Sequence, residues 1–184
     1  MVLPLPRSFL RKTSAVATGA LITGLLVAPN AAQATPSQPA PGSMMQLGKQ
    51  GVVTEPDTTL GSGWQNSSDA LVTGVGDSDG FHLYIAREKT AFTWSALATL
   101  TSSSLDLGAW TGEVCVTGSG HYAVAVFAPS VAANRPNLLQ AGAFAAVVDT
   151  RTGSARTVAT GVQLAYFNPG CGPDDRALLT RSIG

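Results

Sequence analysis

Charged residues are scarce in this chain, and the two signs balance. Lysine, arginine, aspartate and glutamate make up 12% of its 184 residues, with 11 basic and 11 acidic side chains. The basic residues are scattered rather than clustered, so we expect no nucleic-acid partner. The chain has only two cysteines and two histidines. It has no CxxC pair, and neither histidine lies at zinc-ligand spacing from a cysteine, which argues against a zinc site.

No apolar run is long enough to span a membrane. The longest covers residues 15–28, about 14 residues, whereas a membrane-spanning helix needs roughly 20. Three basic residues precede it (Arg7, Arg11 and Lys12), and Ala32-Gln33-Ala34 follows it. Basic residues, a short apolar run and a small-residue site in this order are typical of a secretory signal peptide. We therefore assign residues 1–34 to a signal peptide that is cleaved after Ala34.

Export by this route leaves a secreted, extracellular domain. The leader has no twin-arginine pair, which favours the general secretory route. It contains three of the 11 basic residues and no acidic ones, so the mature chain has 8 basic and 11 acidic residues and a formal charge of −3. About 150 residues remain, which suits one domain with a sizeable core. We expect no membrane span after the leader is removed.

The mature chain begins with a segment that has little to bury. Residues 35–43 contain three prolines in nine residues, and such a composition is typical of an extended linker. We assign residues 35–62 to a flexible linker and residues 63–184 to a β-rich domain.

Short apolar runs rich in valine, alanine and threonine recur between turn signals throughout this domain. These runs predict strands at residues 70–75, 81–86, 91–100, 114–117, 122–127, 144–149, 155–160, 164–167 and 177–180. Turn chemistry at Asp77-Ser78-Asp79-Gly80 and at Thr150-Arg151-Thr152-Gly153 separates two of the pairs. Gly51-Val52-Val53-Thr54 predicts one further short strand. A longer connection spans residues 129–142, in which residues 136–140 have the composition of one helical turn.

The strand pattern repeats, which indicates an all-β fold. Gly118 and Ala123 recur as Gly172 and Ala177, 54 residues later. Repeats of this length, each of four short strands, are typical of propeller blades. We predict antiparallel four-stranded blade-like repeats in a partial β-propeller, with a β-sandwich as the alternative. The third repeat opens at residue 164 and lacks its outer strands, so we expect the domain to be incomplete at its C-terminus.

The two cysteines lie in equivalent regions of successive repeats, each near a hairpin turn. An even cysteine count in an exported chain favours a disulfide, and neighbouring blades would bring Cys115 and Cys171 together. On the chain-entropy model a bridge of this span stabilises the fold by about 4 kcal/mol.

No catalytic constellation is evident from spacing. His82 and His121 are the only histidines, and the chain has no G-x-S-x-G nucleophile elbow. The carboxylates at Asp69, Asp106 and Glu113 have no partner that spacing identifies, so no glycosidase pair is proposed. We predict no catalytic, cofactor-binding or metal-binding residue and no cofactor.

The remaining polar and aromatic motifs are explained by turns, by a modification sequon or by core packing. Residues 77–80 resemble half of a calcium loop but lack its third oxygen ligand and its glutamate, so a turn is favoured. Asn66-Ser67-Ser68 fits the glycosylation sequon. Trp64, Trp94 and Trp110 are expected to fill the core, although tryptophans also stack on sugars.

From about residue 63 onward the chain resembles the N-terminal region of large exported bacterial proteins, some of which carry RHS/YD repeats further on. The resemblance is carried by Gly63-Trp64, Ser67-Ser68-Asp69, Gly76-Asp77 with Gly80-Phe81-His82, Trp110, Val114-Cys115 with Thr117-Gly118-Ser119-Gly120, Ala143-Phe144 with Ala146-Val147-Val148-Asp149, and residues 164–172. It implies a secreted β-rich front module, with toxin or adhesion activity lying downstream. The 184 residues of this chain contain no such downstream region, so we expect none of that activity within them.

Three functional hypotheses follow. The leading one is a non-enzymatic exported module that binds or scaffolds an unknown protein or glycan partner. The alternative is an extracellular hydrolase that uses a propeller face. The third is a truncated remnant of a longer protein.

Overall fold

A computed structural model describes residues 2–4, 51–102, 108–134 and 142–181. Within these ranges the chain forms ten strands, one short helix and three 3-10 segments. The strands are β1 (Val2–Pro4), β2 (Ala70–Gly76), β3 (Phe81–Arg87), β4 (Trp94–Leu100), β5 (Trp110–Val116), β6 (Tyr122–Pro129), β7 (Ala143–Asp149), β8 (Ala155–Val162), β9 (Gly170–Cys171) and β10 (Arg176–Leu178). The helix α1 spans Pro56–Thr59, and the 3-10 segments are Trp64–Asn66, Glu88–Thr90 and Ser130–Asn134.

The strands form three antiparallel sheets, which confirms the all-β prediction. In the first sheet β2, β3 and β4 pair in sequence order, and in the second β5, β6, β7 and β8 do the same. The third sheet has the order β1-β10-β9. The predicted four-stranded unit is seen in the second sheet, whereas the described part of the first has three strands. The choice between propeller and sandwich stays a prediction.

β6, an inner strand of the second sheet, is buried on both faces. Successive side chains of a strand point to opposite faces. Ala123, Ala125 and Phe127 belong to an apolar cluster shared with the first sheet. The alternate residues Val124, Val126 and Ala128 belong to a second cluster, shared with the third sheet. The continuous apolar run in β6 therefore reflects its position in the middle of three layers.

Two glycines allow the first and second sheets to pack closely around one aromatic ring. A Cβ atom at Gly74 would lie 2.2 Å from Cζ of Phe81, and one at Gly112 would lie 2.9 Å from Cε1 of the same ring. Phe81 is 2% exposed. Next to this ring, the amide of Trp110 donates to the carbonyl of Asp77 over 2.8 Å. The absence of a side chain at Gly74 in β2 and at Gly112 in β5 thus makes room for the buried ring of Phe81 between the sheets.

Two strand predictions were wrong. Residues 164–167 form a tight turn in which Ala165 bridges to Asn168. The turn is held because the buried side chain of Asn168 donates to the carbonyl of Gln163 and accepts from the amide of Thr180. Residues 51–54 form no strand either, although the amide of Val53 donates to the carbonyl of Ala91 over 3.0 Å.

Several predictions fall outside the described residues. They are the leader apart from residues 2–4, the linker up to residue 50, and the helical turn at residues 136–140. Of the linker, residues 51–62 are described and contain α1. In the described ranges, the structure has no helix whose length and apolar character would carry it across a membrane.

Candidate functional site: a cleft beside the disulfide-linked turns

Cys115 in β5 and Cys171 in β9 form a disulfide, with their Cα atoms 5.7 Å apart. The bond joins the second sheet to the third. Both cysteines are half-buried and pack against the apolar cluster between these sheets. The bridge therefore ties together two layers that the chain order separates by 56 residues.

Hydrogen bonds join the turns that follow the two cysteines. The amide of Gly118 donates to the carbonyl of Gly172 over 2.9 Å, and the amide of Ser119 donates to the carbonyl of Asp174 over 3.1 Å. The Ser119 hydroxyl also donates to the carboxylate of Asp175. A side chain at Gly118 would meet the backbone of the opposite turn at 2.9 Å. The β5–β6 turn is thus fixed in place by the β9–β10 turn.

A serine, a histidine and a carboxylate meet at these turns, but in an order unsuited to hydrolysis. The Ser119 hydroxyl donates directly to Asp175, and Nδ1 of His121 lies 3.8 Å from the same carboxylate. The His121 side chain is 73% exposed. A catalytic triad needs the histidine between the serine and the acid. Sequence spacing did not reveal this cluster, because Ser119 and Asp175 are 56 residues apart.

The other histidine belongs to a buried network. Nε2 of His82 lies 2.8 Å from Oδ1 of Asp77, and Nδ1 lies 2.9 Å from the hydroxyl of Thr99. Because an ionised carboxylate only accepts, Nε2 carries a proton. His82 and Thr99 are 1% and 3% exposed, so a substrate has no access to the hydroxyl. The same carboxylate accepts from the amide of Asp79 over 2.8 Å, which agrees with the predicted turn role of residues 77–80.

One carboxylate with a perturbed pKa holds the turn between β7 and β8. Burial would raise the pKa of Asp149, but hydrogen bonds from Thr152 and Arg151 and the charge of Arg151 outweigh it, so the pKa lies below its ordinary value. The amides of Arg151 and Thr152 lie 2.9 and 2.8 Å, respectively, from Oδ1 of Asp149. This carboxylate caps a turn and has no direct role in the cleft described next.

A cleft of about 290 Å³ opens between the first and second sheets, beside the β5–β6 turn. Its apolar lining comes from β2, β3 and β5. Its polar lining comes from residues at or next to the ends of these strands and from two turns. The lining residues are Ser68, Asp69, Ala70, Val72, Ile85, Arg87, Val116, Thr117, Gly118, Ser119, Gly120 and Thr150. The lining contains no tryptophan, and Trp110 is 6% exposed and packs in the core 5.8 Å from the ring of Phe127.

A network of hydrogen bonds holds the basic side chain of the cleft. Nη2 of Arg87 donates to the carbonyl of Thr150 over 2.7 Å. The hydroxyl of Thr150 donates to the carbonyl of Gly120 over 2.7 Å. Arg87 is half-buried, and Asp69, directly before β2, is exposed. The cleft therefore presents a guanidinium that is hydrogen-bonded to the turn after β7 and an exposed carboxylate beside β2.

The cleft was not predicted from the sequence. Arg87 and Thr150 are 63 residues apart, and neither carries a motif that would have marked it. Within the described ranges, no group of three or more histidine, cysteine, aspartate or glutamate side chains is placed to hold a metal ion. Comparison with protein-family models, curated proteins and solved structures finds no match to this chain.

Proposed function

We propose that this chain is a non-enzymatic exported β-module that binds a saccharide unit in the cleft between its first and second sheets. The observation that carries the proposal is the composition of the cleft. It combines apolar side chains with hydroxyls, one carboxylate and one guanidinium in a volume of about 290 Å³. Ligand sites are concave and combine apolar side chains with a few oriented polar groups; polar groups predominate in the lining of this cleft.

A sugar matches this set of groups. Its C–H faces would contact Val72 and Ile85, and its hydroxyls both donate and accept. The carboxylate of Asp69 accepts two such hydrogen bonds, whereas the guanidinium of Arg87 only donates. Ligand pockets usually span about 300 to 1,000 Å³, so this cleft suits one sugar unit or the end of a glycan.

The compartment and the architecture are part of the same proposal. Disulfides persist in oxidising compartments outside the cytosol, which supports export after cleavage at Ala34. The stacked antiparallel meanders support the blade-like, propeller interpretation over the sandwich. The resemblance to front regions of large exported proteins leads us to propose that the module presents its cleft at the front of such an assembly.

Calorimetric titration of the exported protein with a panel of neutral and acidic monosaccharides, followed by a glycan array, tests the proposal. We expect saturable binding, at least tenfold weaker in Asp69→Asn. The Asp69 carbonyl, which accepts from the amide of Glu88, is unchanged by this substitution. Asp79→Asn is the matched control, because Asp79 is also exposed but lies in the β2–β3 turn outside the cleft. No binding across both panels, or equal loss in the two variants, would overturn the proposal.

The hydrolase alternative rests on the proximity of Ser119, His121 and Asp175. We favour binding because Asp175 accepts from Ser119 and leaves His121 outside the hydrogen-bonded pair. Chromogenic ester and glycoside substrates separate the two hypotheses. Turnover that disappears in both Ser119→Ala and His121→Ala would favour the hydrolase.

A further inference from the structure

The third sheet has one edge that a segment of the predicted leader occupies. β1 pairs antiparallel with β10, with Val2 opposite Leu178, Leu3 opposite Ala177 and Pro4 opposite Arg176. The other edge of β10 pairs with β9. β1 therefore occupies the remaining edge of β10 within the described residues.

Removal of the leader would vacate this edge. Cleavage after Ala34 takes β1 with it, so the outward backbone groups of residues 176–178 would lose their strand partner. Unpaired donors and acceptors along an edge strand form a template for another chain. The inference thus depends on the predicted cleavage and is independent of the cleft.

β10 is anchored to the rest of the fold by contacts other than those with β1. Ala177 and Leu179 are 8% and 5% exposed and belong to the cluster shared with the second sheet. Cys171 in the neighbouring strand is bonded to Cys115. Because β10 is anchored in this way, its edge keeps its geometry without β1, and a docking strand would not have to order it.

The third sheet has an exposed apolar face that extends from Leu178 in β10 to two rings on the β9 side. Leu178, Phe167 and Tyr166 are 49%, 51% and 88% exposed, and the last two rings lie edge-on with centroids 5.3 Å apart. A Cβ atom at Gly170 would lie 3.9 Å from both Cβ of Leu178 and the carbonyl of Phe167, so these residues adjoin one another. Exposed apolar patches of this kind mark interaction surfaces.

We propose that in the processed protein the β10 edge docks an extended apolar strand of another exported polypeptide by β-augmentation. In this mode the main chain supplies the hydrogen bonds and alternate side chains supply the specificity. The pairing of β1 defines the occupant: an antiparallel segment with an apolar residue opposite Leu178, tolerant of proline opposite Arg176. Because cross-strand partners share a face of the sheet, its residue opposite Leu178 lies on the face where Leu178 is exposed.

The test uses protein purified from culture medium, with its N-terminus verified as Thr35, and a fluorescent peptide of residues 1–6 as the probe. We expect saturable binding by anisotropy and slower amide exchange at residues 176–178. Binding should weaken at least tenfold in Leu178→Lys and stay unchanged in Leu71→Lys. Leu71 is the matched control, being a leucine of β2 that is 54% exposed. Unchanged thermal midpoints establish that both variants are folded.

A second peptide, N-methylated at Val2 and Leu3, separates strand pairing from apolar adhesion. It keeps the side chains but cannot donate backbone hydrogen bonds, so it should bind at least tenfold more weakly. Equal affinity of the two peptides, or no saturable binding of the first, overturns the proposal. A dimer of the processed protein that Leu178→Lys converts to monomer would also overturn it, since the edge would then belong to a second copy.

Discussion

Removal of the disulfide should weaken the fold by an amount that the structure allows us to work out. The bridge joins positions 56 residues apart, and on the chain-entropy model a loop of this length contributes about 4 kcal/mol to the free energy of unfolding. The double substitution Cys115→Ala with Cys171→Ala should remove most of it. With a typical urea dependence of about 2 kcal/mol/M, the unfolding midpoint should fall by about 2 M.

Equilibrium urea unfolding, followed by tryptophan fluorescence and circular dichroism, measures this shift. The double variant is preferable to a single one, because a single substitution leaves a reactive thiol. Ser119→Ala serves as a comparison, because it removes one hydrogen bond between the same two turns. It should lower the free energy of unfolding by about 1 kcal/mol.

A midpoint unchanged within about 0.5 M would refute the reasoning. It would mean that the hydrogen bonds of Gly118 and Ser119 and the apolar contacts hold the third sheet equally well without sulfur, or that the unfolded chain is already constrained. A thiol titration of the unreduced wild-type protein must find no free thiol for the comparison to be valid.

Two further predictions concern packing and acid stability. Gly76→Ala should lower the free energy of unfolding, measured in urea, by about 3 kcal/mol or more, because its Cβ would lie 1.8 Å from the carbonyl oxygen of Trp110. The control Gly170→Ala, whose Cβ would have no neighbour nearer than 3.9 Å, should change that free energy by less than about 1 kcal/mol. Similar losses in the two variants would contradict the close approach of β2 to β5. The lowered pKa of Asp149 stabilises the fold above the unfolded value, near 3.8, and that stabilisation is lost as the pH falls through the folded pKa. Asp149→Asn should therefore lower the urea midpoint at pH 7, and the two midpoints should converge as the pH falls through the folded pKa. A constant difference between them across this range would exclude the charge as the cause.

Local pattern was sufficient for most of the strands. β2, β3, β6 and β8 begin at the predicted residue and β7 begins one residue before it, because apolar and β-branched runs between glycine- and aspartate-containing turns favour strand pairing. The same reasoning failed at residues 164–167. There an apolar composition is typical of a strand, but the buried Asn168 side chain holds the backbone in a turn through contacts with Gln163 and Thr180.

The chemistry of the cleft and of the cluster around His121 depends on contacts between residues that are distant in the sequence. Arg87 meets Thr150, and Ser119 meets Asp175, only because three sheets stack and their turns converge at one end. Neither contact follows from spacing along the chain, since packing of apolar faces selects which turns become neighbours.

Composition and order along the chain were enough to indicate antiparallel strands and a pair of cysteines suited to bonding, because those features depend on neighbours within a few residues or on counting; the leader stays a prediction. Which strand would be buried on both faces, which acid would lie against which hydroxyl, and where a cleft would open were settled by the packing of layers. Those outcomes depend on contacts across more than 50 residues, whose geometry arises only once the apolar faces have come together.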